Sequence, residues 1–296
     1  MRSYLFVPAD SERKLAKAGE TGADCLLIDL EDSVSHRRKS EARAMAHDYL
    51  LEARDRASGP KLIVRVNALN SGLIEDDLAA VIAAAPHGIL LPKAEGGADA
   101  QHLAALIEVA EARAGLALGS TRIHAIVSES AAGVLKAGSY KDMTPRLEAL
   151  SWGGEDLSAD LGVATNRDGA GRYTDVFRYA RSLTLLGAAA AEVMAVDTVF
   201  TDFRDLESLE AECRDAVRDG FSGKLAIHPD QVPIINRAFT PEPEAVARAA
   251  KIVTLFDEAG EEAGVLSLDG RMIDRPHLKQ AERILARARA AGSLPA

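Results

Sequence analysis

At 296 residues the chain is long enough for one large α/β domain or two small ones. It is 47% hydrophobic but only 4% aromatic, so its core must be built from Ala, Leu, Val and Ile, which favours helix-covered parallel sheet over an aromatic-rich β-sandwich. A formal net charge of -10 and the scarcity of aromatic rings for base stacking exclude a general nucleic-acid binder.

Strand-like and helix-like patterns alternate from the first residues. Ser3–Val7 reads as a strand closed by Pro8, and Ser11 as the start of a helix that Gly19 or Gly22 ends. Cys25–Ile28 is the second strand, running into Asp29-Leu30-Glu31-Asp32, and a long helix follows from about Arg37 to Arg54. Leu62–Asn67 and Gly88–Leu91 are the third and fourth strands, each followed by a helical pattern, Leu73–Ala84 and Asp99–Ala114. The fifth and sixth runs are Ile123–Glu129 and Ala149–Asp156, each apolar and stopping at an acidic residue. A Gly- and Asp-containing loop leads to a helix over Tyr173–Ala190, a strand at Val193–Asp197, a helix over Asp205–Asp219 and an eighth strand at Lys224–His228. Eight βα units predict a closed (β/α)₈ TIM barrel over residues 1–239. The alternative, a doubly wound open sheet, wants a Gly-rich fingerprint after its first strand, and Val7-Pro8-Ala9-Asp10 is not one.

Thr240-Pro241-Glu242-Pro243 breaks the pattern. Residues 240–296 read as a C-terminal helical arm: a helix over Glu244–Ala263, two short runs around a turn at Asp269-Gly270, and a last helix over Pro276–Ala290. An arm this small is expected to pack on its own barrel or a neighbour's. No apolar stretch reaches about 18 residues, so no membrane span is expected. The two cysteines, Cys25 and Cys213, match no metal spacing, and the first residues lack a signal-peptide shape, so a cytoplasmic location is expected.

In a barrel the carboxyl ends of the strands face one mouth. Asp29, Glu31, Arg65, Asn67, Lys93, Glu129, Asp156, Asp197 and His228 are therefore expected there as a charged ring. Glu129 and Asp156 supply hard oxygens for Mg²⁺, although surface acids and ion pairs are the bland alternative for any single member. Arg65 offers a fixed planar cation for a carboxylate or enolate oxygen. Asp29, Glu31 and Asp32 are placed to hold Arg65, Lys93 or metal-bound waters. His228 reads as a general acid or, more simply, an orienting group, and Gly153-Gly154 as a close backbone approach to a ligand or a plain turn.

Several motifs carry a resemblance. Leu5-Phe6-Val7-Pro8, Leu27–Val34, Val64–Asn67, Leu91-Pro92-Lys93, Gly154–Leu157, Lys224–Pro229 and Asp269–Asp274 are similar, in order and over nearly the whole chain, to the citrate lyase β-subunit-like family. That family belongs with malyl-CoA lyase and citramalyl-CoA lyase in the phosphoenolpyruvate/pyruvate barrel superfamily. The resemblance implies Mg²⁺ on Glu129 and Asp156, Arg65 near a thioester carbonyl, and Asp274 as an acid/base group delivered by a neighbouring subunit's arm, which makes Arg65, Asp274 and Glu31 the expected catalytic set. It also implies coenzyme A held by Arg13, Lys14 and Lys17 together with Arg65, and a homotrimer or dimer of trimers. Without the resemblance Asp274 is a helix N-terminal acid, and the three basic residues are a solvated helix face. Many relatives read Val-Glu-Thr around the metal glutamate where this chain has Val127-Ser128-Glu129-Ser130, a departure in residues that line the acyl pocket. The implied reaction is Mg²⁺-dependent, reversible Claisen-type cleavage of a 3-hydroxy-acyl-CoA such as malyl-, citramalyl- or citryl-CoA into acetyl-CoA and a 2-oxo acid. The alternatives are a malyl-CoA-type thioesterase, a citrate lyase β subunit acting on an acyl-carrier partner, and a CoA-free aldolase.

Overall fold

The computed structural model describes residues 1–54, 59–260 and 262–294. The expected alternation is realised as β1 (Ser3–Pro8), α1 (Glu12–Ala18), β2 (Cys25–Asp29), α2 (Lys39–Arg54), β3 (Lys61–Arg65), α3 (Ile74–Val81), β4 (Gly88–Leu91), α4 (Gly97–Ala114) and β5 (Arg122–Ile126). It continues as α5 (Ala131–Leu135), β6 (Leu147–Ser151), α6 (Gly154–Leu161), α7 (Asp175–Ala190), β7 (Met194–Asp197), α8 (Leu206–Asp219), β8 (Gly223–Ala226) and α9 (Gln231–Phe239). All eight strands run parallel, and β1 pairs with both β2 and β8, so the sheet closes.

Alternation along each strand splits the side chains into two layers. Tyr4, Cys25, Leu27, Ile63, Leu90, Ile126, Ala149, Val196 and Leu225, at least one from every strand, fill the barrel interior. The residues of opposite parity, among them Leu26, Ile28, Val64, Ile123 and Leu150, pack outward on the helices in a larger cluster. The β5–β6 register is broken between Ile123 and His124: Ile123 pairs with Leu147 but His124 with Ala149, leaving Glu148 as an extra residue on β6.

Three details depart from the sequence reading. The helix expected from Arg37 begins as a short 3₁₀ turn, His36–Arg38, before α2. The fifth and sixth strands end at Ile126 and Ser151, short of their acids; after the sixth, Gly153 caps α6 and Gly154 starts it rather than prolonging the strand. Helices α5 and α6, of 5 and 8 residues, are too short to leave a helical period in the sequence.

The arm comprises α10 (Pro243–Ala259), a hairpin β9 (Val265–Leu268) and β10 (Arg271–Asp274), and α11 (Arg275–Ala290). The expected continuation of α10 past Ala259 meets Glu261, outside the described residues. Ile252, Phe256, Ile273, Ala281 and Leu285 give the arm a small core separate from the barrel's. No helix among the described residues is long and apolar enough to cross a membrane.

Candidate active site

The mouth is built from the last residues of inward-facing parity. On β2 the inward series Cys25, Leu27 ends at Asp29; on β3, Ile63 leads to Arg65. The two are neighbours in register, and Arg65 forks onto Asp29, Nε donating to Oδ1 at 2.7 Å and Nη2 to Oδ2 at 2.6 Å. Asp29 also accepts the backbone N–H groups of Glu31 at 2.9 Å and Ser33 at 3.3 Å. Burial raises the Asp29 pKa, but Arg65 outweighs it and holds the carboxyl below its ordinary value. Burial likewise opposes the charge on Arg65, and Asp29 more than compensates, so the guanidinium is a permanent cation. The Phe6 ring lies 4.6 Å from the guanidinium carbon, fixing its plane.

Glu129 projects from the loop after β5 and is 5% exposed. Its Oε2 accepts the main-chain N–H of Lys93, a residue at φ 52°. The Lys93 ammonium bonds Glu31 Oε1, lies 3.0 Å from Asp32 Oδ2 and 3.5 Å from Asp156 Oδ1. Asp156 stands in the first turn of α6. A Cβ on Gly153 would sit 2.6 Å from Glu129 Cγ, so this glycine makes room for the glutamate side chain rather than for a ligand. Glu31 Oε2 is buried and has no hydrogen-bond partner among the described residues; Arg65 Nη1 is 3.1 Å away but misaligned.

The electrostatics are unbalanced. Asp29, Glu31, Asp32, Glu129 and Asp156 face Arg65 and Lys93, and Lys39 feels the first three from behind, so five carboxylates stand against three cations. Burial above all, with the charges of Asp156 and Glu31 behind it, pushes the Glu129 carboxyl up to about 8. Burial also raises Glu31, against the pull of Arg65 and Lys93. An all-oxygen donor set with excess negative charge and an orphaned carboxylate oxygen suits a hard divalent cation such as Mg²⁺.

A cavity of about 320 Å³ opens on this set, lined by Phe6, Arg65, Glu129, Trp152, Gly153, Asp156 and Thr198 among others. Phe6, Pro8, Lys14 and Ile227 also line an adjoining cavity of about 360 Å³, to which Arg13, Lys17 and His228 contribute. The three basic residues expected to meet coenzyme A are thus exposed on α1 but face one hollow beside the mouth. His228 accepts the Asp230 N–H on Nδ1 at 3.2 Å and stacks on Phe203 at 4.9 Å, the geometry of an oriented ring.

Some expected members of the ring lie elsewhere. Asp197 has outward parity, since its neighbour Val196 faces in; it is fully buried against Trp152, Arg181 and Lys224. Asn67 lies past the end of β3 and is consumed by Lys39 at 2.7 Å and Asp77 at 2.7 Å. Asp274, expected from a neighbouring subunit rather than in this ring, caps α11 in the arm, paired with His277, and is absent from the cavities at its own chain's mouth. Sequence reasoning missed Phe6 as the plate under Arg65 and Gly153 as the space for Glu129; strand parity marks Phe6, two residues after Tyr4, as inward.

The HpcH/HpaI aldolase/citrate lyase family profile matches residues 2–229. The citrate lyase subunit beta of Leuconostoc mesenteroides subsp. cremoris is 33% identical over 98% of this chain and 93% of its own length. The mitochondrial citramalyl-CoA lyase of Rattus norvegicus is 34% identical over 97% of this chain and 86% of its own. The crystal structure of the Mycobacterium tuberculosis protein CitE, solved in complex with magnesium, acetoacetate and coenzyme A, superposes with a TM-score of 0.76 at 33% identity, covering 97% of each chain.

Proposed function

This chain belongs to the HpcH/HpaI aldolase/citrate lyase family, and from that premise we propose that it is a Mg²⁺-dependent carbon–carbon lyase. It cleaves a 3-hydroxy-acyl-CoA, such as malyl-, citramalyl- or citryl-CoA, reversibly to acetyl-CoA and a 2-oxo acid. The observation that carries this reading is the convergence of Glu129 and Asp156 with a clamped Arg65 at one mouth, beside a basic hollow.

Glu129 and Asp156 hold the ion, which when bound supplies Lewis acidity toward the hydroxyl and carboxylate oxygens of the substrate. Arg65, oriented by Asp29 and Phe6, donates to the thioester oxygen as it takes on enolate charge, a contribution of about 3 kcal/mol for one well-placed donor. Glu31, held by Lys93, keeps a carboxylate oxygen 3.1 Å from Arg65 Nη1 as a second counter-charge to the guanidinium. Arg13, Lys14 and Lys17 receive the coenzyme phosphates. Asp274 moves the proton at the α-carbon. Because its own chain keeps it in the arm, residues 240–296 deliver it to a neighbouring subunit of a homotrimer. Val176, Tyr179 and Leu186 on α7 are more than half exposed, apolar surface that suits such an assembly. Buried free thiols at Cys25 and Cys213 fit a reducing cytoplasm.

The test is mass spectrometry of products from the three CoA esters with Mg²⁺. Acetyl-CoA plus a 2-oxo acid, abolished by chelation, is the expected result. Free CoA with an intact hydroxy-diacid identifies a thioesterase instead, and activity only on an acyl-carrier thioester identifies a complex subunit. Mixing inactive Asp274→Asn and Asp156→Asn chains restores part of the activity if Asp274 acts across subunits, and restores none if it acts within one.

A further inference from the structure

A second constellation sits at the opposite end of the barrel. His87 immediately precedes β4, His124 is on β5, and Glu148 is the extra residue of β6 at the register break. The inward series of β5, His124 then Ile126, and the Tyr4 ring 5.8 Å from His124, place the cluster in the barrel floor, below the interior layer. The Nε2 atoms of His87 and His124 each lie 2.8 Å from the same oxygen, Glu148 Oε2. The three ligand atoms all fall within 4.8 Å of one another.

Two imidazoles and one carboxylate are the donor set of a borderline transition ion, not of Mg²⁺. A tetrahedral ion with bonds of about 2.0–2.1 Å holds its ligands roughly 3.4 Å apart, a spacing that the two 2.8 Å distances to Glu148 Oε2 reach by opening about half an ångström each. The side chains of His87 and Glu148 are 22% and 23% exposed while that of His124 is 4% exposed, so the cluster is anchored inside yet open to solvent from below.

We propose that His87, His124 and Glu148 form a second metal site, for Zn²⁺ or a similar ion, independent of the oxygen-rich mouth, with a fourth coordination position facing solvent. The ion takes the place of the Nε2 protons, each imidazole then carrying its proton on Nδ1. It ties β4, β5 and β6 together where the bulge interrupts their hydrogen bonding.

The test uses the full chain, stripped with chelator and dialysed against Co²⁺ with Mg²⁺ in large excess to saturate the mouth. One equivalent of Co²⁺ per chain with the visible absorption of tetrahedral Co²⁺ is expected from the wild type and from Asp156→Asn. His87→Ala loses both, and so does His87→Gln, which keeps a hydrogen-bonding group at the partly exposed position. Zn²⁺ in place of Co²⁺ raises Tm in the wild type but not in the His87 variants. No retained ion in the wild type, equal retention in a folded His87 variant, or loss of the ion in Asp156→Asn each overturns the proposal.

Discussion

Two sets of charged side chains lie at the ends of barrel strands, and they differ in balance. Behind β7 and β8, Asp197, Glu212 and Asp219 meet Lys224, Arg181 and Arg167, three carboxylates with three cations. Asp197 also accepts from Trp152 Nε1 at 2.7 Å; burial raises its pKa, but Lys224 and Arg181 outweigh that and hold it below the ordinary range. At the mouth the same residue types leave five carboxylates facing three cations, Arg65, Lys93 and Lys39, and burial lifts Glu129 to about 8. A network that closes on itself is a structural device. One that stays short of positive charge is built to receive some from outside.

The comparison breaks most sharply at Asp156. Asp156→Ala is expected to cut kcat by on the order of 10³-fold or more with the circular dichroism spectrum and Tm retained, because it removes a carboxylate the fold does not need. Lys224→Met probes the other side. It strips the buried cation from Asp197 and is expected to cost about 3–5 kcal/mol in urea unfolding, while kcat per folded molecule stays within about twofold. The opposite pattern, activity lost at residue 224 and stability lost at residue 156, would dissolve the distinction.

Glu111 sharpens it through pH. This fully buried carboxylate is forked by Arg146 at 2.9 and 2.7 Å and accepts the N–H groups of Thr121 and Gly119. Burial alone would raise its pKa; Arg146 and the two amides outweigh it and lower the value from 4.5 to about 2. The folded pKa being depressed, its stabilisation is complete above about 4.5 and lost as pH falls toward about 2. Urea midpoints for wild type and Glu111→Gln should therefore differ most at neutral pH and converge below about 4.5. A gap that does not change with pH would contradict this. The smallest effect is expected from Lys14→Ala, on the rim of the basic hollow: KM for the CoA ester rises about three- to tenfold, less at high salt.

The barrel was legible because its strands are short runs of Val, Ile and Leu punctuated by Gly and Pro, and that pattern survives packing. The site was legible in part. Glu129, Asp156, Arg65 and Glu31 do converge, but strand-end position alone also nominated Asp197 and Asn67. Parity supplies the missing rule for Asp197: Asp29 and Arg65 continue the inward series of β2 and β3, whereas Asp197 follows inward Val196 and so points at the helices. Asn67 shares the parity of Arg65 and is lost to the mouth because Lys39 and Asp77 hold it. The apolar run at Leu150 places Asp156 at a strand end, but two glycines break the run and the residue reaches the mouth from a helix instead. The His87–His124–Glu148 cluster depends on a one-residue bulge, a tertiary feature that leaves no periodic trace.

The most direct measurement of the central claim is a calorimetric titration of Mg²⁺ into metal-free protein with a 2-oxo acid present. One equivalent is expected to bind the wild type, with heat near zero for the Glu129→Gln, Asp156→Asn double variant. Undiminished binding by a folded double variant would contradict it.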